Sequence, residues 1–156
     1  MGKALFYHLT RQPLEAVLVI LLTRSLGAGW RIAVHAGKPE RVAWLDEKLW
    51  LDRGNDFLPH GCAGGAFDAD QPILISSSGS VANSPDCIFS VDGADVAVAQ
   101  VLEKERVCIL FDGNDDTSLA TARNQWKMMK NANAPAQYWS QDSGSWQMKA
   151  EIGGGD

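Results

Sequence analysis

The most constraining feature of this chain is an alternation that starts at its first residues. Short apolar runs are separated by longer segments whose apolar residues recur every three or four positions. Ala4 to His8 (ALFYH) reads as a buried strand, followed by turn-prone Thr10 to Pro13. From Pro13 to Leu26 the side chains Leu14, Val17, Leu18, Leu21, Leu22 and Leu26 keep helical spacing, with Pro13 suited to a helix start and Gly27 to its end. Trp30 to Ala36 (WRIAVHA) predicts a second strand, and Lys38-Pro39-Glu40 opens a second helix through Val42, Leu45, Leu49 and Trp50. A helix between two strands is the connection that a parallel pair requires. The order strand, helix, strand, helix therefore predicts a parallel sheet.

Further along, Phe57 to Gly61 is a short third strand candidate, Pro72 to Ser76 (PILIS) a fourth and Cys87 to Val91 (CIFSV) a fifth. A weaker helix over Ala94 to Glu105 would bury Val98, Val101 and Leu102. Arg106 to Phe111 (RVCILF) is a continuous apolar run suited to a strand covered on both faces. Asp115-Asp116-Thr117 caps a final helix from Ser118 to about Lys130, with acids at the positive end of its dipole and bases near the other. After Pro135 the chain turns polar and glycine-rich, interrupted by Tyr138, Trp139 and Trp146, and no strand is expected there. The expected architecture is α/β: a doubly wound, mainly parallel sheet with helices on both faces, Rossmann-like but without a phosphate-binding loop. With 156 residues the chain has room for one core. Residues 1–150 are read as a single domain and 151–156 as a mobile tail.

Composition narrows function by exclusion. The longest apolar run, Ala16 to Leu22, is too short to cross a bilayer, and the amino terminus lacks a signal-peptide pattern, so a cytoplasmic protein is expected. Three widely spaced cysteines, Cys62, Cys87 and Cys108, argue against a disulfide framework. A net charge of -5 opposes a general grip on phosphate backbone. Nucleotide binding would need glycines and backbone amides after the first strand, yet the segment reads Leu9-Thr10-Arg11-Gln12-Pro13. His60 and Cys62 beside Gly64-Gly65 lack further ligands at metal spacing, and are read as a loop histidine and a buried thiol. Ser76 to Ser80 lacks the glycine spacing of a nucleophile elbow. The acidic pairs Asp46-Glu47, Asp68/Asp70 and Asp115-Asp116 suit solvation and capping. No catalytic residue, cofactor or metal is expected.

Two constellations remain. On the final helix Arg123, Trp126, Lys127 and Lys130 fall at three- and four-residue steps, and no acid interrupts the stretch from Leu119 to Lys130. Such a stripe suits an acidic peptide with an apolar end, because arginine clamps a carboxylate and an indole offers a flat wall. A single nucleic-acid strand could use the same groups by stacking bases on Trp126. A plain solvated face, with Trp126 partly in the core, is the third reading. The second constellation is Trp44, Trp50 and Phe57 among charged neighbours. That is more aromatic surface than one helix needs against a sheet, and it suggests a partner-facing patch.

Leu45-Asp46-Glu47-Lys48-Leu49-Trp50, followed by Phe57-Leu58-Pro59-His60, resembles the Leu-Asp-Glu-x-Leu-Trp and Phe-[Val/Leu]-Pro-His signature of the chi subunit of bacterial DNA polymerase III. The spacing of the two halves matches, as do Phe6-Tyr7-x-Leu9 and the final-helix pattern Arg-x-x-aromatic-Lys before a tryptophan-containing tail. The resemblance implies a non-catalytic clamp-loader accessory subunit of the replisome, acting at the nucleoid. Its partners would be the psi subunit, or another clamp-loader subunit in its place, and single-stranded-DNA-binding protein, which would link it indirectly to single-stranded DNA. It implies that the acidic tail of the latter docks on Arg123, Trp126 and Lys127. A further basic position of the family is Leu119 here, with Lys130 as a compensating charge. Trp50 and Phe57 match the psi-facing residues of the family, and the resemblance implies that a helicase-like repair protein shares that area. The alternatives are a direct binder of single-stranded nucleic acid and, more remotely, a nucleotide-dependent enzyme.

Overall fold

The computed structural model describes residues 2–51, 59–141 and 145–153. Its elements are β1 (Lys3–Leu9), α1 (Leu14–Gly27), β2 (Ile32–Ala36), α2 (Pro39–Leu51), β3 (His60–Cys62), a 3-10 turn (Asp68–Asp70), β4 (Ile73–Ser76), β5 (Cys87–Val91), α3 (Val98–Glu103), β6 (Arg106–Asp112), α4 (Asp116–Asn131), β7 (Ala136–Ser140) and β8 (Gln147–Ile152). Among the described residues one sheet holds all the strands, in the order β3-β4-β2-β5-β6-β1-β7-β8. Every pairing is parallel except that of β7 with β8. The fold is the expected doubly wound α/β sheet.

Strand alternation sorts the core into two layers. In β6, Cys108 and Leu110 face the layer covered by α1 and α2, whereas Val107, Ile109 and Phe111 face the layer of α3 and α4. β1 divides likewise, with Leu5 and Leu9 on the first side and Ala4 and Phe6 on the second. This two-sided burial is why β6 reads as an unbroken apolar run.

The helix ends follow local chemistry. Asp115 is the N-cap of α4, and its carboxylate accepts hydrogen bonds from the Ser118 backbone N–H (2.9 Å) and hydroxyl (2.7 Å). At the other end Asn133 takes a left-handed φ of 53°. The Ala134 N–H reaches the Met129 carbonyl (2.9 Å) and the Asn133 N–H that of Lys130 (3.1 Å), a Schellman arrangement closed by Pro135.

Several expectations need correction. The third helix is only Val98–Glu103 and Leu102 is exposed, while Ala94 and Val96, in the connection before it, are buried. The third strand is His60–Cys62; Phe57 and Leu58, where it was expected to begin, lie outside the described residues. The largest difference follows Pro135. β7 pairs in parallel with β1, so α4 is a crossover helix between β6 and β7, and β8 returns antiparallel beside β7 with an irregularity at Tyr138/Trp139. β8 runs from Gln147 to Ile152. Among the described residues no helix is long and apolar enough to cross a membrane.

Candidate functional site: the outer face of α4

α4 lies on the second layer with Ala122, Gln125 and Met129 buried beneath it. Gln125 is a polar anchor, its side-chain amide donating to the Ala94 carbonyl (3.0 Å), which also accepts from Ser90 Oγ (2.7 Å). At about 100° per residue, Trp126, Lys130, Arg123 and Lys127 follow one another around an arc adjoining this buried face. Trp126 stands at the inner edge of the arc and is half-buried, whereas Arg123, Lys127 and Lys130 are exposed. Among the described residues none of the three cations has a carboxylate partner.

The indole rests on an aromatic bed. Its ring meets Phe6 of β1 edge-on at 5.2 Å and Tyr138 of β7 edge-on at 5.7 Å. Phe6 and Tyr138 stack nearly parallel, 13° apart, and the Tyr138 hydroxyl lies 2.8 Å from His8 Nδ1. Phe6 is fully buried. The bed therefore fixes the ring while leaving part of it in solvent, beside the three cations. Leu119, one turn before Arg123, is half-buried against the same layer and adds apolar surface at the end of the arc.

The second constellation is only partly described. α2 buries Leu45 and Leu49. Trp44 is half-buried, with the Arg41 guanidinium 3.8 Å and the Lys48 ammonium 5.6 Å from its ring centre. Trp50 belongs to α2 by its backbone; its side chain, and all of Phe57, lie outside the described residues.

Other chemical candidates resolve into structural roles. His60 opens β3 as a buried residue rather than sitting in a loop, with Nε2 3.0 Å from Asp46 Oδ1. Cys62, expected as a buried thiol, is exposed. Local burial and the nearby Asp46 carboxylate raise its pKa, the opposite of what an activated thiolate requires. Asp68 accepts from the Gly64 and Gly65 amides at 2.9 and 3.0 Å. Among the described residues no three histidine, cysteine or carboxylate side chains gather to hold a metal.

The crevice at the carboxyl ends of the strands is where doubly wound sheets usually take ligands. Here it has a volume of about 810 Å³, and Arg11, Lys38, Arg41, Asp92, Asp112 and Asp115 are among its lining residues. Several of its charged groups are already engaged within the protein. Arg41 Nε pairs with Asp92 at 2.8 Å, and Arg11 Nε donates to the Gln141 carbonyl at 3.1 Å. The amino end of α4, where a phosphate would sit, is filled by the carboxylate of Asp115, whose pKa is lowered by the Ser118 hydroxyl and amide.

These features describe a Rossmann-like α/β protein with a cationic and aromatic outer helix face. Residues 1–137 match the sequence pattern of the family described as DNA polymerase III chi subunit, HolC, and the chain belongs to that family. It is accordingly an accessory subunit of DNA polymerase III, acting in DNA replication. No curated protein matches the chain.

Proposed function

We propose that this subunit is a non-catalytic replisome adaptor which captures the acidic carboxyl-terminal tail of single-stranded-DNA-binding protein on α4. A clamp-loader partner, the psi subunit or its equivalent, would be held through the region of Trp50 and Phe57. The observation that carries the reading is the arc of Arg123, Lys127 and Lys130 beside the half-buried Trp126. In this reading Arg123 clamps a carboxylate, the two lysines add attraction, and the indole edge packs the apolar last residue of the tail. The adaptor thereby associates with single-stranded DNA indirectly, in the cytoplasm at the nucleoid-bound replisome.

The test is a titration of a short acidic peptide ending in Pro-Phe. Arg123→Ala is expected to weaken binding about tenfold or more, since a hydrogen bond to a charged group contributes roughly 1.5–3 kcal/mol. Equal affinity of the two proteins would remove the site. The second reading, direct binding of a nucleic-acid strand, uses the same groups but must overcome a net charge of -5. An oligonucleotide that binds more tightly than the peptide would favour it.

A further inference from the structure

A second cationic and aromatic site lies on the opposite face of the sheet. Between the last turns of α1 and strands β1, β5 and β6 is a pocket of about 370 Å³, at the lower end of the range for small-ligand sites. Its existence follows from small side chains. Leu21, Arg24 and Ser25 of α1 and its C-cap Ala28 recur at helical spacing, and at 25 and 28 there is no bulk to fill the space above the sheet. Phe89, Cys108 and Ser25, all buried, form the floor. The walls are Tyr7, Trp30 and Arg106, each half-buried, and Arg24 stands exposed at the rim.

Two guanidiniums thus converge on one small cavity, and neither has a carboxylate partner among the described residues. Arg106 sits 5.3 Å from the centre of the Trp30 ring, and its Nε is enclosed without a hydrogen-bond partner among the described residues. An enclosed charged donor left unmatched is costly, so a matching acceptor would be bound with a corresponding gain. The end of α1 contributes about half a unit of negative charge nearby, which two full positive charges outweigh. Burial, and then Cys108, push the Tyr7 hydroxyl above the usual tyrosine range, while Arg106 and Arg24 pull the other way. Both guanidiniums therefore act at the hydroxyl, which remains a neutral donor at physiological pH. The Cys108 thiol, and then burial, likewise push Cys87 up, so Cys87 supplies no thiolate beside the cations.

We propose that this pocket binds a small organic anion, a flat apolar ring bearing one carboxylate or phosphate. The ring lies along Trp30, and the anionic group is held by Arg106 and Arg24 with the Tyr7 hydroxyl as a further donor. The pocket is on the α1 side of the sheet and α4 on the other, so this site is independent of the tail-binding surface.

The test uses the full chain labelled with nitrogen-15, titrated with benzoate, phenyl phosphate and neutral benzamide while the Trp30 indole N–H resonance is followed. Either anion is expected to shift that resonance saturably, and the better of the two fixes the head group. Arg106→Gln should raise Kd about tenfold or more and Arg24→Gln severalfold, as expected when hydrogen bonds to a charged group are lost. Arg123→Ala should change nothing. Arg24 is exposed, so its variant keeps the test meaningful if Arg106→Gln folds poorly. Equal binding of benzamide, unchanged affinity in Arg24→Gln, or no saturable shift with either anion would overturn the proposal.

Discussion

Trp126 on α4 and Trp30 before β2 offer one chemistry in two geometries. Each is a half-buried indole with arginine beside it, but the first stands on a convex helix and the second lines a hollow. On α4 the cations are spread along one arc in open solvent, which suits an extended polypeptide that meets them in succession. Under α1 they converge on a space of about 370 Å³, which admits only a small molecule. The difference teaches that residue type sets which charge a surface attracts, while curvature sets the size of what can be held.

The change with the largest expected effect is Phe6→Ala. Phe6 is fully buried and carries one edge of the Trp126 ring, so its truncation should cost about 3–5 kcal/mol of stability in urea melts. Among molecules that remain folded, tail-peptide affinity should fall because the indole has lost half its bed. Binding of a small anion under α1 should not change, since Phe6 points into the other layer. A parallel loss at both sites would mean that the two faces are not independent.

Salt separates the sites by a smaller margin. Arg123, Lys127 and Lys130 are exposed and act across solvent, where a Debye length of about 8 Å at physiological ionic strength already screens them. Peptide binding should weaken steeply as salt rises. Arg106 is partly enclosed, so anion binding in the pocket should decline less over the same range. Matching slopes in calorimetric titrations would place the anion at the surface instead.

The two sites differ as much in how far the sequence reveals them. Arg123, Trp126, Lys127 and Lys130 belong to one helix, so spacing alone puts them on one side. The pocket joins Tyr7, Arg24, Trp30 and Arg106 from four stretches of chain, and only the strand order β5-β6-β1 brings them together. The same contrast runs through the fold. β1, β2 and β6 were legible because both their faces are buried, which leaves unbroken apolar runs. β7 and β8 were not: β8 is the edge strand and carries exposed, mostly polar positions, while β7 is half-buried at its three middle positions and takes from pairing with β1 the order that composition lacks. Tyr138 and Trp139 were the available signal there, two β-favouring aromatics in a polar stretch. Leu102 failed as a core residue because α3 is too short for its spacing to define a buried face.

The smallest effect concerns the start of α4, and it tests whether the outer site depends on the whole helix or only on its middle. Asp115 caps that end through Ser118, and these bonds hold its carboxyl below the usual value of 3.8. A group whose pKa is lower in the folded state contributes stability above its unfolded pKa, and that contribution disappears as pH falls through the folded one. Asp115→Ala should therefore lower the melting temperature slightly at neutral pH, and the gap from wild type should close as the solution is acidified below about 3.8. Peptide affinity at pH 7 should be unchanged, because Arg123 lies two turns further along and Ala122, Gln125 and Met129 hold that part of the helix to the sheet. A variant that folds normally but loses the peptide would show that the cap orients the cationic arc, and the convex site would then be as dependent on distant contacts as the pocket beneath α1.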